Sequence, residues 1–366
     1  MKYYIIAGEA SGDLHGSNLI KELRKNDPGA LVRCWGGDKM AEAGGVTVKH
    51  YRDLAFMGFA EVIKNLPAIF RNLSFCKKDI SSFQPDVLVL IDYPGFNMRI
   101  AKWAHARGLK VAWYISPQIW AWKENRVHAI KRDVDRMMVI LPFEKDFYKK
   151  HGVEVDYVGH PLAEVISEWE AAHPSVKKEN IIALLPGSRQ QEIRVKLPIM
   201  LNVAAHFPGH QFIVAKAPGL PEDFYEAMLR PYKNVDAVAG KTYDLLAKSC
   251  AALVTSGTAT LETALFGVPE IICYKGSRVS YEIARRVIKI KFIGLVNLIM
   301  DREVVKELIQ DKLNVENLKG ELQRLLTDEA KKEQIRKDYA ALKELLSAGG
   351  NASANAAAKI IEMVRS

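Results

Sequence analysis

Hydrophobic residues occur along this chain in short continuous runs separated by amphipathic stretches. In the first half, apolar runs at residues 3–8, 31–35, 87–91, 111–115 and 136–141 predict strands, and the leucines within residues 13–26 predict a helix. Strands that are apolar throughout and alternate with helices are typical of a parallel sheet covered on both faces. The first half of the chain therefore predicts a doubly wound α/β domain.

The same pattern starts again after a polar, helix-prone stretch at residues 164–179. Apolar runs at residues 181–185, 211–215, 251–255 and 270–273 predict the strands of a second sheet. Residues 329–366 have a helical pattern that is interrupted at Gly349-Gly350-Asn351. We therefore expect Rossmann-like domains at residues 1–170 and 171–345, and a final helix at 346–366 whose packing on the first domain is left open.

Composition and charge narrow the class of protein. The 366 residues are 49% hydrophobic and 26% charged, as in soluble globular proteins, and no apolar run is long enough for a transmembrane helix. The N-terminus lacks the form of a signal peptide, and the four cysteines show no CxxC spacing, which disfavours a metal cluster. The formal net charge of +9 indicates an anionic partner, either nucleic acid, a membrane surface or a phosphorylated substrate.

Candidate chemistry lies in the loops that follow the predicted strands, because open parallel sheets bind ligands beyond the carboxyl ends of their strands. The segment GEASGD at residues 8–13 brings Ser11, Gly12 and Asp13 to such a loop, unless it is only a tight turn in which Ser11 or Asp13 caps the next helix. Asp92 ends a buried strand, where desolvation raises a carboxyl pKa and suits it to act as a general base. The alternative is an Asp that forms the turn before a Pro-Gly pair.

Three further loops have suitable donors. The segment SPQIWAWK at residues 116–123 suits a sugar site, although core packing is the simpler explanation for at least one of its tryptophans. The segments PGSR at 186–189 and SGTATLE at 256–262 each lie between a strand and a helix, whose N-terminal N–H groups attract phosphate. A capping box without a ligand is the alternative for SGTATLE. The candidate residues are Ser116, Gln118, Trp120, Gly187, Ser188, Arg189, Ser256, Gly257, Thr258 and Glu262.

Together these motifs resemble the lipid A disaccharide synthases, glycosyltransferase family 19 of the GT-B type. The resemblance covers nearly the whole chain, and seven blocks in order make it specific. The blocks are GEASGD at 8–13, IDYPGFN at 91–97, SPQIWAWK at 116–123, VGHPL at 158–162, LLPGSRQQEI at 184–193, SGTATLE at 256–262 and LVNLIMDREVVKELIQ at 295–310.

The resemblance implies a GT-B fold in which two Rossmann-like domains face a central cleft. It also implies an inverting transfer of 2,3-diacylglucosamine from UDP to the 6-hydroxyl of 2,3-diacylglucosamine 1-phosphate, without a metal or other cofactor. Asp92 is then the general base, and His15, where the family does not require His, is either a second proton acceptor or only a helix residue. The positions that the resemblance ties to UDP or to activity are Ser188, Arg189, Glu262 and Asn297.

An apolar stretch at residues 56–73, with basic residues close by, suits the acyl chains or the surface of an anionic inner membrane on its cytoplasmic side. The alternative is a helix that only packs on its own sheet. The candidate contacts are Met57, Phe59, Val62, Leu66, Ile69 and Phe70. A homodimer with exchanged C-terminal segments is a further possibility that the resemblance raises.

Three other functions are weighed against this interpretation. A UDP-sugar 2-epimerase or a muramyl-type transferase shares the expected fold, and fold alone does not separate these activities. A nucleic-acid-binding protein fits the charge, but the sequence lacks basic runs interleaved with aromatic residues. A catalytically silent UDP-binding scaffold is the third alternative, and the presence of every candidate group in the sequence counts against it.

Overall fold

The computed structural model describes residues 1–54, 66–287 and 290–366, which form two compact α/β units. Unit 1 comprises Met1–Glu164 together with Leu346–Ser366, and unit 2 comprises Val165–Leu345. The C-terminal segment therefore belongs to the same unit as the N-terminus. No helix in the described part of the chain is both long enough and apolar enough to cross a membrane.

Both units contain parallel sheets. Among the described residues, the sheet of unit 1 has seven strands in the order β3-β2-β1-β4-β5-β6-β7, and that of unit 2 has six in the order β10-β9-β8-β11-β12-β13. The strands of unit 1 are β1 Lys2–Ala7, β2 Leu31–Gly36, β3 Val46–His50, β4 Val87–Ile91, β5 Lys110–Tyr114, β6 Arg136–Val139 and β7 Asp156–Tyr157. Those of unit 2 are β8 Ile181–Leu185, β9 Gln211–Lys216, β10 Val235–Ala239, β11 Ser249–Thr255, β12 Glu270–Tyr274 and β13 Lys306–Ile309.

Helices connect successive strands, as a parallel sheet requires. The first part of the chain forms α1 Ala10–Asn26, α2 Asp38–Glu42, α3 Leu66–Phe83, α4 Pro94–His105, α5 Ile119–Trp122, α6 Val127–Asp133, α7 Glu144–Lys150 and α8 Pro161–Ala172. The rest forms α9 Gln190–Ala204, α10 Glu222–Leu229, α11 Thr242–Lys248, α12 Thr258–Leu265, α13 Arg278–Val287, α14 Leu295–Ile299, α15 Val315–Thr327, α16 Glu329–Ser347 and α17 Ala352–Arg365.

The sheet of unit 1 is buried on both faces. On β1, Tyr3 and Ile5 belong to the core cluster that includes α1 and α17, whereas Tyr4 and Ile6 belong to the cluster that includes α3, α4 and α6. Because successive side chains of a strand point to opposite faces, a strand covered on both sides needs apolar residues at every position. This explains the continuous apolar runs in the sequence.

The glycine-rich interruption near the C-terminus allows α17 to return to unit 1. A Cβ on Gly349 would lie 2.4 Å from the Gly159 backbone, so only glycine permits this approach. Asn351 then caps α17, its side-chain oxygen accepting the Ala354 N–H at 2.7 Å. Small residues such as Ala356 pack in the core cluster that α17 shares with α1, and this contact places the helix on unit 1.

Candidate functional site

The carboxyl ends of β4 and β5 carry strained backbone. Asp92 and Tyr93 directly follow β4 with φ of 42° and 50°, and Ile115 follows β5 with φ of 66°. Left-handed backbone costs non-glycine residues about 1–3 kcal/mol each, and it is least favourable for β-branched side chains. Asn97 holds the turn, since its buried amide donates to the carbonyls of Ile91 and Asp92. Strain that the surrounding contacts maintain is typical of functional positions.

The carboxyl group of Asp92 has an altered acidity. Burial raises the pKa of Asp92 to about 6, the negative charge of Glu9 adds to this effect, and a hydrogen bond from the Tyr93 backbone opposes it. A carboxylate with this pKa is ionised at neutral pH and is a stronger base than an ordinary aspartate, which matches the needs of general base catalysis. Sequence reasoning gave Glu9 no role, although it belongs to the GEASGD segment.

The GEASGD segment is not the loop that the sequence predicts. The helix α1 begins at Ala10, so Ser11, Gly12 and Asp13 belong to its first turn. Asp13 does not cap α1 either. Its buried carboxylate accepts three backbone N–H groups at the start of α2, at 2.7, 3.2 and 3.1 Å. Asp13 therefore stabilises the neighbouring helix, while Ser11 is exposed.

His15 lies in α1 and is buried. His160, which follows β7, is also buried. Burial, with a smaller effect of the Lys39 charge, lowers the pKa of His15 to about 4. Its Nδ1 has no hydrogen-bond partner among the described residues. An imidazole with so low a pKa is neutral and weakly basic near pH 7, so Asp92 is better matched to the task of proton acceptor.

A buried carboxyl that sequence reasoning missed, Glu144, joins the loops after β5 and β6. It accepts the indole N–H of Trp120 at 3.1 Å and two backbone N–H groups that follow β6, and burial raises its pKa to about 7. Ser116 is buried with its hydroxyl 2.8 Å from that of Tyr148, whereas Gln118 is exposed. Trp120 and Ser116 therefore hold the loop after β5 in place. The only sequence signal for Glu144 was its position about one helical turn after a predicted strand.

In unit 2, the loops after β8 and β11 line a cavity of about 300 Å³. This volume lies at the lower end of the range for small-molecule sites, roughly 300–1,000 Å³. Of the candidate residues in these two loops, all except Arg189 line the cavity, namely Gly187, Ser188, Ser256, Gly257, Thr258 and Glu262. The structure thus brings together two motifs that lie about 70 residues apart.

The start of α9 has the features of an anion site. Gly187 has φ of 120°, and a Cβ there would lie 2.7 Å from Oε2 of Glu192. The buried Lys196 lies 3.9 Å from the same oxygen, and burial lowers its pKa. Arg189 pairs with Glu192 at 3.4 Å while its side chain is 58% exposed. Exposed pairs contribute little free energy, so Arg189 can exchange Glu192 for a phosphate at low cost.

At the start of α12, the polar side chains are not arranged as a capping box. Gly257 is the N-cap residue and no side chain caps the helix, while the Ser256 hydroxyl donates to the Ile293 carbonyl at 2.8 Å. Glu262 accepts the Tyr243 hydroxyl at 3.2 Å, and burial raises the pKa of Glu262. The carboxylate of Glu262 lines the cavity and has further lone pairs for hydroxyl donors.

The backbone of Gly257 gives a stability prediction. Its φ of 155° is accessible to glycine, and a Cβ there would meet nothing within 4 Å, so the cost of a side chain is conformational. Gly257→Ala is expected to lower the free energy of unfolding by about 1–3 kcal/mol in urea titrations. Gly320→Ala, inside α15 with equally open space, is the matched control and is expected to stabilise by about 0.4–1 kcal/mol. Equal effects of the two variants would contradict this account.

Asn297, which the resemblance ties to UDP or to activity, forms hydrogen bonds with the turn before β13. It is fully buried, and its amide oxygen accepts the N–H groups of Val304 and Val305 at 2.8 and 3.0 Å. Its amide nitrogen donates to the Val305 carbonyl and to Glu307 at 2.8 and 2.9 Å. Because these bonds use both donors and both lone pairs, Asn297 positions the turn before β13.

The predicted acyl-chain residues are only partly described. Met57, Phe59 and Val62 lie outside the described residues, and Leu66 is the first residue of α3. Ile69 packs against the core, whereas Phe70 on the same helix is 63% exposed. The described part of α3 therefore has both a core face and an exposed apolar residue.

Comparison with known proteins decides the family. The family profile described as lipid-A-disaccharide synthetase matches residues 3–361. The chain belongs to this family. The lipid-A-disaccharide synthases of Geobacter metallireducens and Geobacter sulfurreducens are 41% and 39% identical to it over 371 residues, which cover 98% of this chain and 96% of each relative. The resemblance drawn from the seven blocks is thus confirmed, and the protein is a glycosyltransferase of lipid A biosynthesis.

Solved structures confirm the GT-B fold of this lipid-A-disaccharide synthase. A UDP-GlcNAc 2-epimerase from Neisseria meningitidis matches with a TM-score of 0.67 and 14% identity, covering 100% of both chains. The glycotransferase of kitacinnamycin matches with a TM-score of 0.66 and 15% identity, covering 99% of this chain and 98% of that one. At such identities the likeness concerns the fold alone, and the family match decides between transferase and epimerase.

Proposed function

We propose that this enzyme transfers 2,3-diacylglucosamine from UDP-2,3-diacylglucosamine to the 6-hydroxyl of 2,3-diacylglucosamine 1-phosphate, with inversion at the anomeric carbon. The products are the β-1,6 tetraacyl disaccharide 1-phosphate and UDP. The observation that carries this proposal is the strained, partly desolvated Asp92, whose pKa is raised to about 6, in a chain of the lipid-A-disaccharide synthase family.

In this mechanism Asp92 removes the proton of the acceptor 6-hydroxyl while its oxygen attacks the anomeric carbon of the donor. The bond from that carbon to the UDP oxygen breaks in the same step, and negative charge develops on the diphosphate. The N-terminal N–H groups of α9 and the exposed guanidinium of Arg189 suit the stabilisation of this charge. Glu262, beside the same cavity, accepts hydrogen bonds from the ribose hydroxyls.

The test is a reconstituted reaction of the purified chain with both lipid substrates in neutral detergent micelles. Mass spectrometry is expected to detect a tetraacyl disaccharide phosphate, and NMR of the new linkage is expected to show the β configuration. An α-linked product would contradict inversion. Release of UDP with no disaccharide would contradict the assigned acceptor.

We further propose that the enzyme acts at the cytoplasmic face of the inner membrane, where Phe70 contacts lipid. Phe70→Ser is expected to reduce co-sedimentation with anionic vesicles, because burying one phenylalanine side chain contributes about 1.5–3 kcal/mol. Val46→Ser is the matched control, since Val46 is 62% exposed but begins the edge strand β3. If both variants bind vesicles equally, Phe70 has no part in membrane binding.

A homodimer with exchanged C-terminal segments is proposed on the resemblance and on the position of α17. In a single chain, α17 packs on unit 1, and Lys110 donates to the Met363 carbonyl at 2.7 Å. The same contacts form in an exchanged dimer when α17 comes from a second chain. Sedimentation equilibrium of the whole chain distinguishes a monomer from such a dimer.

A further inference from the structure

A group of cations lies beside the tryptophan that follows the strained end of β5. Nζ of Lys123 is 4.0 Å from the ring centre of Trp122, and Cζ of Arg126 is 5.8 Å from it. Arg99 lies on α4, which packs on α6, and its positive charge repels that of Arg126. We call Arg99, Lys123 and Arg126 the basic cluster. Trp122 is 49% exposed, so the face that holds the cluster is open to solvent.

The basic cluster lacks compensating negative charge. Among the described residues, none of its members forms an ion pair with a carboxylate, and the adjacent Glu124 pairs instead with His151 at 3.0 Å. Burial lowers the pKa of Lys123 and of Arg126, and the neighbouring cations Arg126 and Arg99 respectively lower them further. An anion bound between these cations would relieve their mutual repulsion, so the cluster is suited to bind a negatively charged group.

The basic cluster lies at the same edge of the unit 1 sheet as Asp92. Arg99 folds back along α4, where its Nη1 donates to the Gly95 carbonyl in the first turn, shortly after Asp92. On the other side, the Asp92 N–H donates to the carbonyl of Ile115, which precedes the Trp122 segment, at 3.3 Å. When the 6-hydroxyl of an acceptor sugar contacts Asp92, the anomeric group of the same sugar lies about one sugar ring away from Asp92.

We propose that the basic cluster binds the anomeric phosphate of the acceptor sugar. This inference rests on the proposed function and adds the subsite that selects a phosphorylated acceptor. Guanidinium groups bind phosphate oxygens through charge-assisted hydrogen bonds, and Trp122 holds Lys123 in place by packing against its ammonium group. A phosphate on a membrane lipid has the same chemistry, and the test separates the two sources.

The test compares two acceptors in neutral detergent micelles, 2,3-diacylglucosamine 1-phosphate and its 1-O-methyl glycoside. Arg126→Gln is expected to raise KM for the phosphorylated acceptor by about 10–100-fold, as the loss of hydrogen bonds to a charged group requires. KM for the methyl glycoside and the affinity for UDP are expected to stay unchanged. Arg126→Lys is expected to restore most of the affinity, and Lys123→Gln to act in the same direction as Arg126→Gln.

Arg107→Gln is the matched control. Arg107 also stacks on a tryptophan, with Cζ 4.5 Å from the Trp103 ring, but it lies beyond the far end of α4 and is expected to leave both KM values unchanged.

An equal rise of KM for both acceptors, or no rise for either, would overturn the phosphate subsite while the active wild type upholds the proposed function. An unchanged KM with weaker binding to phosphatidylglycerol vesicles would assign the cluster to membrane lipid and also overturn it. Wild-type enzyme that uses neither acceptor would overturn both proposals together.

Discussion

Replacing Asp92 by Asn is expected to lower kcat by about 10²–10⁴-fold, the usual contribution of a general base. The amide keeps the size of the side chain but cannot accept the proton of the 6-hydroxyl. Wild-type kcat/KM is expected to fall as the pH drops below about 6, where Asp92 becomes protonated, and the variant is expected to lack this limb. Initial rates between pH 5 and 8 provide the measurement.

A measurement of thermal stability distinguishes the loss of the general base from a loss of folded protein. Folding raises the pKa of Asp92 from 3.8 to about 6, so the folded state binds a proton more tightly than the unfolded chain. The stability contribution of this group therefore declines as the pH rises between these two values and does not return above them. Asp92→Asn removes this penalty, and its Tm at neutral pH is expected to equal or exceed that of the wild type.

Asp86→Asn is the matched control for the Asp92 variant. Asp86 precedes β4 at its opposite end, where its carboxylate accepts the Lys2 N–H at 2.7 Å. This variant is expected to retain turnover even if stability changes. Near-normal turnover of Asp92→Asn, with the same pH profile as the wild type, would remove Asp92 from the mechanism.

Replacing Glu262 by Gln is expected to weaken UDP binding by about 10–100-fold, because hydrogen bonds to an ionised acceptor contribute about 1.5–3 kcal/mol. The amide keeps one acceptor oxygen, which limits the loss. Isothermal calorimetry with UDP gives the affinity. Tyr243→Phe removes only the donor that now pairs with Glu262, so it is expected to have a smaller effect.

Glu179→Gln is the control for Glu262. Glu179 precedes β8 in the same unit, at the amino end of the sheet, and pairs with Lys248 at 3.3 Å. Its replacement is expected to leave UDP affinity unchanged. If Glu262→Gln binds UDP as tightly as the control variant, the ribose assignment is wrong.

The central strands were predictable because both faces of each are buried. β1, β4, β8 and β11 are apolar along nearly their whole length, and this pattern is visible without knowing what covers them. The edge strand β3 is exposed or half-buried at all positions, and it was not predicted. An edge strand needs no continuous apolar run, so its sequence resembles that of a loop.

By itself, the sequence determined the α/β class, the order of the motifs and the family, because strand periodicity and short motifs are local properties. Only the tertiary structure decided which hydrogen bonds the buried polar side chains form. Asp13 accepts backbone N–H groups at the start of α2, the amide of Asn297 bonds to the turn before β13, and Glu144 links the loops after β5 and β6. These roles depend on hydrogen-bond partners from other elements, whose position follows from packing and cannot be read from spacing along the chain.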